Sequence, residues 1–251
     1  MDSSYQTPMI VGRARPTTLS DPFHDHRLLD VSAFLAKPEV AWDWGDYQTV
    51  LGPYLPAGTY SESVYFLPGA FEYIYTHEDD ALDLVSPIIG FVSIYARELE
   101  KDGLLESCRS RIRELLEHWV SSFRVVHFDK AACKKNGGIH DYFDYVKQSE
   151  VVCEATSDLV KFDVHADLAV DFYQDLARFG LSPFKAAWLL ELSRAQATHV
   201  YHPPIHPEIG SALNAPESLL NAYRAVQKTL ATTESSPTYW RDLIARFDYL
   251  E

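Results

Sequence analysis

Residues 163–179, DVHADLAVDFYQDLARF, decide the fold class because their apolar side chains recur at helical spacing. Leu168, Phe172 and Leu176 are four residues apart, so they share one face of an α-helix. Gly180 follows the pattern, and glycine is the residue on which helices commonly end. The stretch therefore predicts an amphipathic helix that packs one side against a core.

Signals of the same kind lie on both sides of this segment. Ser182-Pro183 places a capping residue before a proline, and it predicts a helix that continues to about Thr198. Asn214-Ala215-Pro216 and Ser236-Pro237 repeat the signal before two further helices. Upstream, the spacing of apolar residues predicts helical segments over 25–36, 69–75, 80–101 (kinked or split at Pro87) and 105–123. Strand signals are restricted to residues 123–128 and 151–153.

These patterns predict an all-α fold, a single-domain irregular helical bundle with long loops and little or no β structure. Residues 1–20 are polar and contain two prolines, so we expect a flexible N-terminal arm. Residues 21–251 are expected to form the single helical domain. Within it, the glycines and prolines of residues 38–68 predict an irregular stretch with only short helical turns.

The net charge of the chain indicates which classes of partner it can bind. The 251-residue chain has a formal net charge of −14. Residues 38–96 contain no Lys or Arg but nine acids and twelve aromatic residues. Such a negative field repels nucleic acid and favours a basic protein partner.

The compartment is predicted from what the chain lacks. The longest weakly polar run, residues 84–96, is 13 residues long, whereas a membrane span needs about 20, so no membrane association is expected. The N-terminus does not resemble a signal peptide. Three scattered cysteines, Cys108, Cys133 and Cys153, do not form a disulfide framework or a Cys-x-x-Cys metal site. These features predict a cytoplasmic protein.

The first candidate site is a row of aspartates at i, i+4 spacing, formed by Asp163, Asp167, Asp171 and Asp175. Like charges at this spacing cost a helix a few tenths of a kcal/mol per pair, so the row needs an explanation. Nearby bases could neutralise it within the fold, namely Lys161, Arg178, Lys185 and Arg194. Alternatively, the row is a docking surface for a cationic partner, and Trp42 and Trp44 supply aromatic anchors for the same interaction.

The second candidate is a metal site formed by His199, His202 and His206, with Glu208 close by. Imidazole and carboxylate groups bind divalent transition metals, although the prolines in this segment also suit an ordinary exposed loop. Weaker pairs of the same chemistry are His24 with His26, and His140 with Asp141.

No nucleophile elbow, Walker loop or dinucleotide-binding motif is present in the sequence. The leading hypothesis is therefore an acidic protein-binding module of the immunity-protein, antitoxin or inhibitor type, which neutralises a basic protein and needs no cofactor. The alternative is a metal-dependent hydrolase that uses His and Asp ligands within the α-helical fold.

Overall fold

A computed structural model describes residues 13–20, 33–52, 56–77, 84–121, 148–161, 165–180, 182–198, 207–232 and 238–250. These residues form α-helices and short 3₁₀ turns with no strand, so the predicted all-α class is confirmed. The chain divides into two compact units, residues 1–115 and residues 116–251. The assignment of residues 21–251 to one domain stays a prediction.

The helices that lie wholly in the described part of the first unit are four to ten residues long, and residues 33–36 are also helical. Its helices are α1 (Trp44–Leu51), α2 (Tyr60–Ser63), α3 (Leu67–Thr76), α4 (Val85–Ile94) and α5 (Ala96–Lys101). The boundary between the units falls within α6 (Leu105–Ser121). The second unit continues with α7 (Gln148–Lys161), α8 (Ala166–Ala177), α9 (Pro183–Thr198), α10 (Pro207–Leu213), α11 (Pro216–Thr232) and α12 (Thr238–Ala245). Turns of 3₁₀ helix occupy Glu39–Ala41, Val64–Phe66 and Asp248–Leu250.

An aromatic cluster forms part of the core of the first unit. The rings of Phe34 and Phe66 lie 5.0 and 5.1 Å from the ring of Trp42, centroid to centroid. Tyr47 meets the same indole edge-on at 6.0 Å. These offset geometries suit the ring quadrupoles and add to the free energy gained by burying the rings.

Close contact between α1 and α3 depends on a glycine. A Cβ atom at Gly69 would lie 2.6 Å from the Tyr47 hydroxyl oxygen, closer than non-bonded atoms tolerate. Tyr47 is buried, and this burial raises the pKa of its hydroxyl to about 12. Because Gly69 has no side chain, α3 can lie close to α1 with the Tyr47 hydroxyl group between them.

Residues 38–68 are more helical than predicted, because their capping residues stabilise short helices. The Asp43 carboxylate accepts a hydrogen bond from the Asp46 amide, and the Asp46 carboxylate accepts one from the Asp43 amide. This reciprocal pair is a capping box and starts α1. Lys37 donates to both Asp46 oxygens at 2.8 and 2.9 Å, which neutralises a buried carboxylate.

The predicted kink at Pro87 is wrong. Pro87 is the third residue of α4, where the backbone N–H has no partner within the helix, so proline costs nothing there. The break between α4 and α5 comes instead at Tyr95, whose backbone departs from helical angles.

Residues 13–20, which we call the strap, lie against the first unit through side-chain contacts. Arg13 forms an ion pair with Asp102, and Arg15 donates hydrogen bonds to the carbonyl oxygens of Leu35 and Lys37. Ser20 donates from its amide and its hydroxyl to the Glu62 carboxylate. Composition alone does not reveal such long-range contacts, and the expectation of a flexible N-terminal arm stays a prediction.

The second unit is arranged around α9, whose residues 186–193 are all buried. This helix packs against α7, α8, α10, α11 and α12. A helix that is apolar on all sides belongs in the interior, and α9 is apolar there except for Glu191 and Ser193. Glu191 forms an ion pair with Arg194, one turn along the same helix.

Two predicted helix starts in this unit are confirmed. Helix α9 begins at Pro183, where the Ser182 hydroxyl accepts a hydrogen bond from the Lys185 amide, and α11 begins at Pro216. The strand predicted at 151–153 is wrong, because these residues lie in α7. Val152, Ala155 and Leu159 are buried at helical spacing, so packing outweighs the strand preference of the two valines.

The capping box of α1 gives the first prediction. Asp43→Ala removes the side-chain acceptor of the Asp46 amide and should lower the free energy of unfolding by about 1 kcal/mol. Glu72→Ala is the matched control, since Glu72 is an exposed acid of the same unit, and it should change stability by less than about 0.5 kcal/mol. Urea denaturation, monitored by tryptophan fluorescence, measures both changes in the free energy of unfolding. Equal effects would show that Asp43 acts through charge alone.

The second prediction concerns pH. Burial acts to raise the pKa of Glu62, but hydrogen bonds from the Ser20 and Thr59 amides outweigh it and hold the pKa below its ordinary value of 4.5. A carboxylate whose pKa is lowered in the folded protein contributes its full stabilisation when the pH is above the ordinary pKa. This stabilisation is lost as the pH falls through the lowered pKa.

The difference in unfolding free energy between the wild type and Glu62→Gln should therefore be full at neutral pH and decrease as the pH falls below the ordinary value of 4.5 and through the lowered pKa. Denaturant titrations from neutral to acidic pH measure it. A difference that stays constant over this range would contradict the assignment.

Candidate protein-binding surface

Helix α8 presents its aspartates on the side opposite to its buried side chains. Asp167, Asp171 and Asp175 are exposed. At a rise of 1.5 Å per residue the three Cα atoms span about 12 Å. The opposite side is buried in the core of the second unit through Leu168, Ala169, Phe172, Tyr173 and Leu176. The structure thus places three of the four predicted aspartates in one column, and Asp163 lies outside the described residues.

The three aspartates differ in their partners. Asp175 forms an ion pair with Lys185 at the start of α9. Asp167 also takes part in an interaction within the fold. Within the described part of the chain, no hydrogen bond or ion pair reaches Asp171. The column is therefore neutralised at its C-terminal end and keeps one uncompensated carboxylate in the middle.

Two of the bases expected to neutralise the column are engaged elsewhere. Arg194 pairs with Glu191, and Arg178 donates a hydrogen bond to the Gln174 side chain at 3.4 Å. Neutralisation of the column by a neighbouring base is thus confirmed for Lys185.

Trp42 is not available as an interface anchor, so this prediction is corrected. Its side chain is 8% exposed, because the aromatic cluster covers one part of the ring and Arg15 lies over it at 5.1 Å. An aromatic anchor stabilises a complex by burying its ring on binding, and this ring is already buried. Trp44, the first residue of α1, is half-buried and keeps some exposed surface.

Four of the five acids of residues 38–96 that the structure describes act within the fold. Asp43 and Asp46 form the capping box of α1, and Glu62 caps α2. Glu39 accepts a hydrogen bond from the Tyr65 hydroxyl. Glu72 is exposed, and the remaining four acids lie outside the described residues. Of these acids Asp46 is buried and paired with Lys37, so it adds little charge to the surface.

The predicted metal ligands His199, His202 and His206 lie outside the described residues, as do the two weaker histidine pairs. Glu208, at the start of α10, accepts a hydrogen bond from the Gln174 side chain at 3.3 Å. Among the residues that the structure describes, no group of three or more His, Cys, Asp or Glu side chains could hold a metal ion. The metal hypothesis stays a prediction.

The contacts of Arg13 and Arg15 were missed from the sequence, although a local signal exists. Arg15 precedes Pro16, and a residue before proline favours an extended backbone. Side chains two residues apart share one side of an extended chain, so Arg13 and Arg15 project together.

Comparisons with known proteins give this chain no relative, since no family model, curated protein or solved structure matches it. No helix in the described part of the chain is long and apolar enough to cross a membrane. The partner type and the cytoplasmic location stay predictions.

The aspartate column gives the third prediction. Asp171→Lys places a base between Asp167 and Asp175 at i, i+4 spacing, which should leave the melting temperature unchanged or raise it slightly, because each such pair contributes about 0.2–0.5 kcal/mol. Asp175→Lys places two ammonium groups together at Lys185 and should lower the melting temperature. Calorimetry of both variants tests this, and marked destabilisation by Asp171→Lys would assign Asp171 a structural role.

Proposed function

We propose that this chain is an acidic protein-binding module that neutralises or holds a basic protein, as an immunity protein, antitoxin or inhibitor does. The observation that carries this proposal is the column on α8, in which Asp171 lies exposed and uncompensated between two further exposed aspartates. A cationic side chain of a partner would relieve the repulsion within the column and gain a carboxylate partner.

The rigidity of α8 supports this role. Its apolar face is buried, so the three carboxylates are fixed on a helix and their positions do not depend on loop ordering. Neighbours at i, i+4 are about 5–6 Å apart at Cβ, which matches bases at similar spacing on a partner helix. Preorganised groups of this kind lose little conformational entropy on binding.

Overall charge supports the same class of partner. The first unit carries eighteen acids and nine bases, and the second carries eighteen acids and thirteen bases. A basic protein is therefore attracted over a long range towards either unit, whereas nucleic acid is repelled.

The fourth prediction tests the column by capture and by rates. Wild-type protein, the double variant Asp167→Lys/Asp171→Lys and the charge-matched control Glu72→Lys/Glu117→Lys are immobilised and exposed to native lysate. The control changes two exposed acids that lie outside α8 and keeps the net charge equal to that of the column variant. We expect a basic partner to be retained by the wild type and the control and lost by the column variant.

Kinetics of the captured partner complete the test. Exposed charges act mainly on encounter, so the column variant should reduce the association rate by about tenfold or more and change dissociation little. The wild-type association rate should fall steeply between about 0.05 and 0.5 M salt because the Debye length shortens. The proposal is wrong if no partner is retained, if the partner is acidic, or if the column variant and the control behave alike.

A further inference from the structure

The strap occupies two sites on the first unit that are each built to receive an arginine. At the first site, Asp102 binds Arg13 and also accepts a hydrogen bond from the Tyr60 hydroxyl at 2.6 Å. The guanidinium carbon of Arg13 lies 5.4 Å from the centre of the Tyr60 ring. The hydrogen bond from Tyr60 and the charge of Arg13 hold the pKa of Asp102 below its ordinary value of 3.8, so this carboxylate is ionised at neutral pH.

The second site lies where the helical turn of residues 33–36 ends. The carbonyl oxygens of Leu35 and Lys37 accept hydrogen bonds from one Arg15 nitrogen at 2.8 and 2.6 Å. Arg15 lies over the Trp42 ring at 5.1 Å. One terminal nitrogen makes both bonds, while the planar guanidinium lies over the indole, and this stacked contact favours arginine over lysine.

The contacts that hold the strap are ones that a segment of another chain could also make. In the described residues, the strap forms no backbone–backbone hydrogen bond with the rest of the unit. Its hydrogen bonds to the unit come from the Arg13 and Arg15 side chains and from the amide and hydroxyl of Ser20. The Arg13 and Asp102 side chains remain 30% and 35% exposed. Exposed ion pairs and cation–π contacts of this type are individually weak.

We propose that these two sites form a docking surface for an extended segment of a basic partner with two arginines two residues apart, and that the strap is the resident competitor for this surface. The surface shares no residue with the aspartate column, so this proposal is tested independently of the function proposed above. Binding requires the strap to leave, and the apparent affinity of the partner is reduced by the fraction of molecules in which the strap is docked.

The test uses the full-length chain and a fluorescein-labelled peptide with the strap sequence, RARPTTLS, followed by fluorescence anisotropy. Arg13→Ala/Arg15→Ala empties both sites and should bind the peptide about tenfold or more tightly than the wild type does, because the intramolecular competitor is gone. Arg97→Ala/Arg113→Ala removes two exposed arginines of the same unit and should behave as the wild type.

Two further measurements establish specificity. Addition of Asp102→Asn to the double variant should weaken peptide binding, because it removes the carboxylate of the first site. The peptide KAKPTTLS should bind at least about fivefold more weakly than RARPTTLS, since lysine has no planar group to stack on the Tyr60 and Trp42 rings. If the double variant does not fold, as judged by circular dichroism, Arg13→Ala alone empties the more exposed site and should still raise affinity.

The proposal is overturned if the wild type and the emptied variant bind the peptide equally or not at all, or if Asp102→Asn has no effect. Equal binding of the arginine and lysine peptides would overturn it in favour of unspecific charge attraction. A wild-type dimer that Arg13→Ala/Arg15→Ala dissociates would overturn it in favour of strap exchange between two copies of this chain.

Discussion

Residues 186–193 of α9 have no side that faces water, and this constraint governs the second unit. Five helices cover α9, and each has to offer it an apolar face. Ala186 and Ala187 let these neighbours approach closely, whereas Trp188 fills a larger volume. The polar face of each surrounding helix is thereby turned outward, which is how α8 comes to expose its aspartates.

The same constraint explains the ion pair within α9. A lone carboxylate in the interior carries a large desolvation penalty, so Glu191 requires a cation at close range. Arg194 lies one turn further on and provides two hydrogen bonds, while its own side chain stays 18% exposed. Arg194 thus compensates a carboxylate that belongs to the core.

Local signals in the sequence were sufficient where a structure depends on neighbouring residues. Ser182-Pro183 correctly predicts the start of α9, and the i, i+4 spacing correctly predicts the exposed column from Asp167 to Asp175. Local signals gave wrong predictions where contacts with residues distant in the sequence determine the structure. Trp42 was predicted to be an interface anchor, but Phe34 and Phe66 pack against its ring. Neither contact follows from a local pattern. Likewise, the acids of residues 38–96 read as surface charge, although several of them serve as helix caps.

The contact between α1 and α3 has an evolutionary consequence. Because a Cβ atom at position 69 would collide with the Tyr47 hydroxyl group, these two positions share one small volume. A lineage that gains a side chain at position 69 must shorten the residue at position 47 or separate the helices. Relatives of this chain should therefore show correlated substitutions at the two positions, with glycine retained wherever tyrosine is retained.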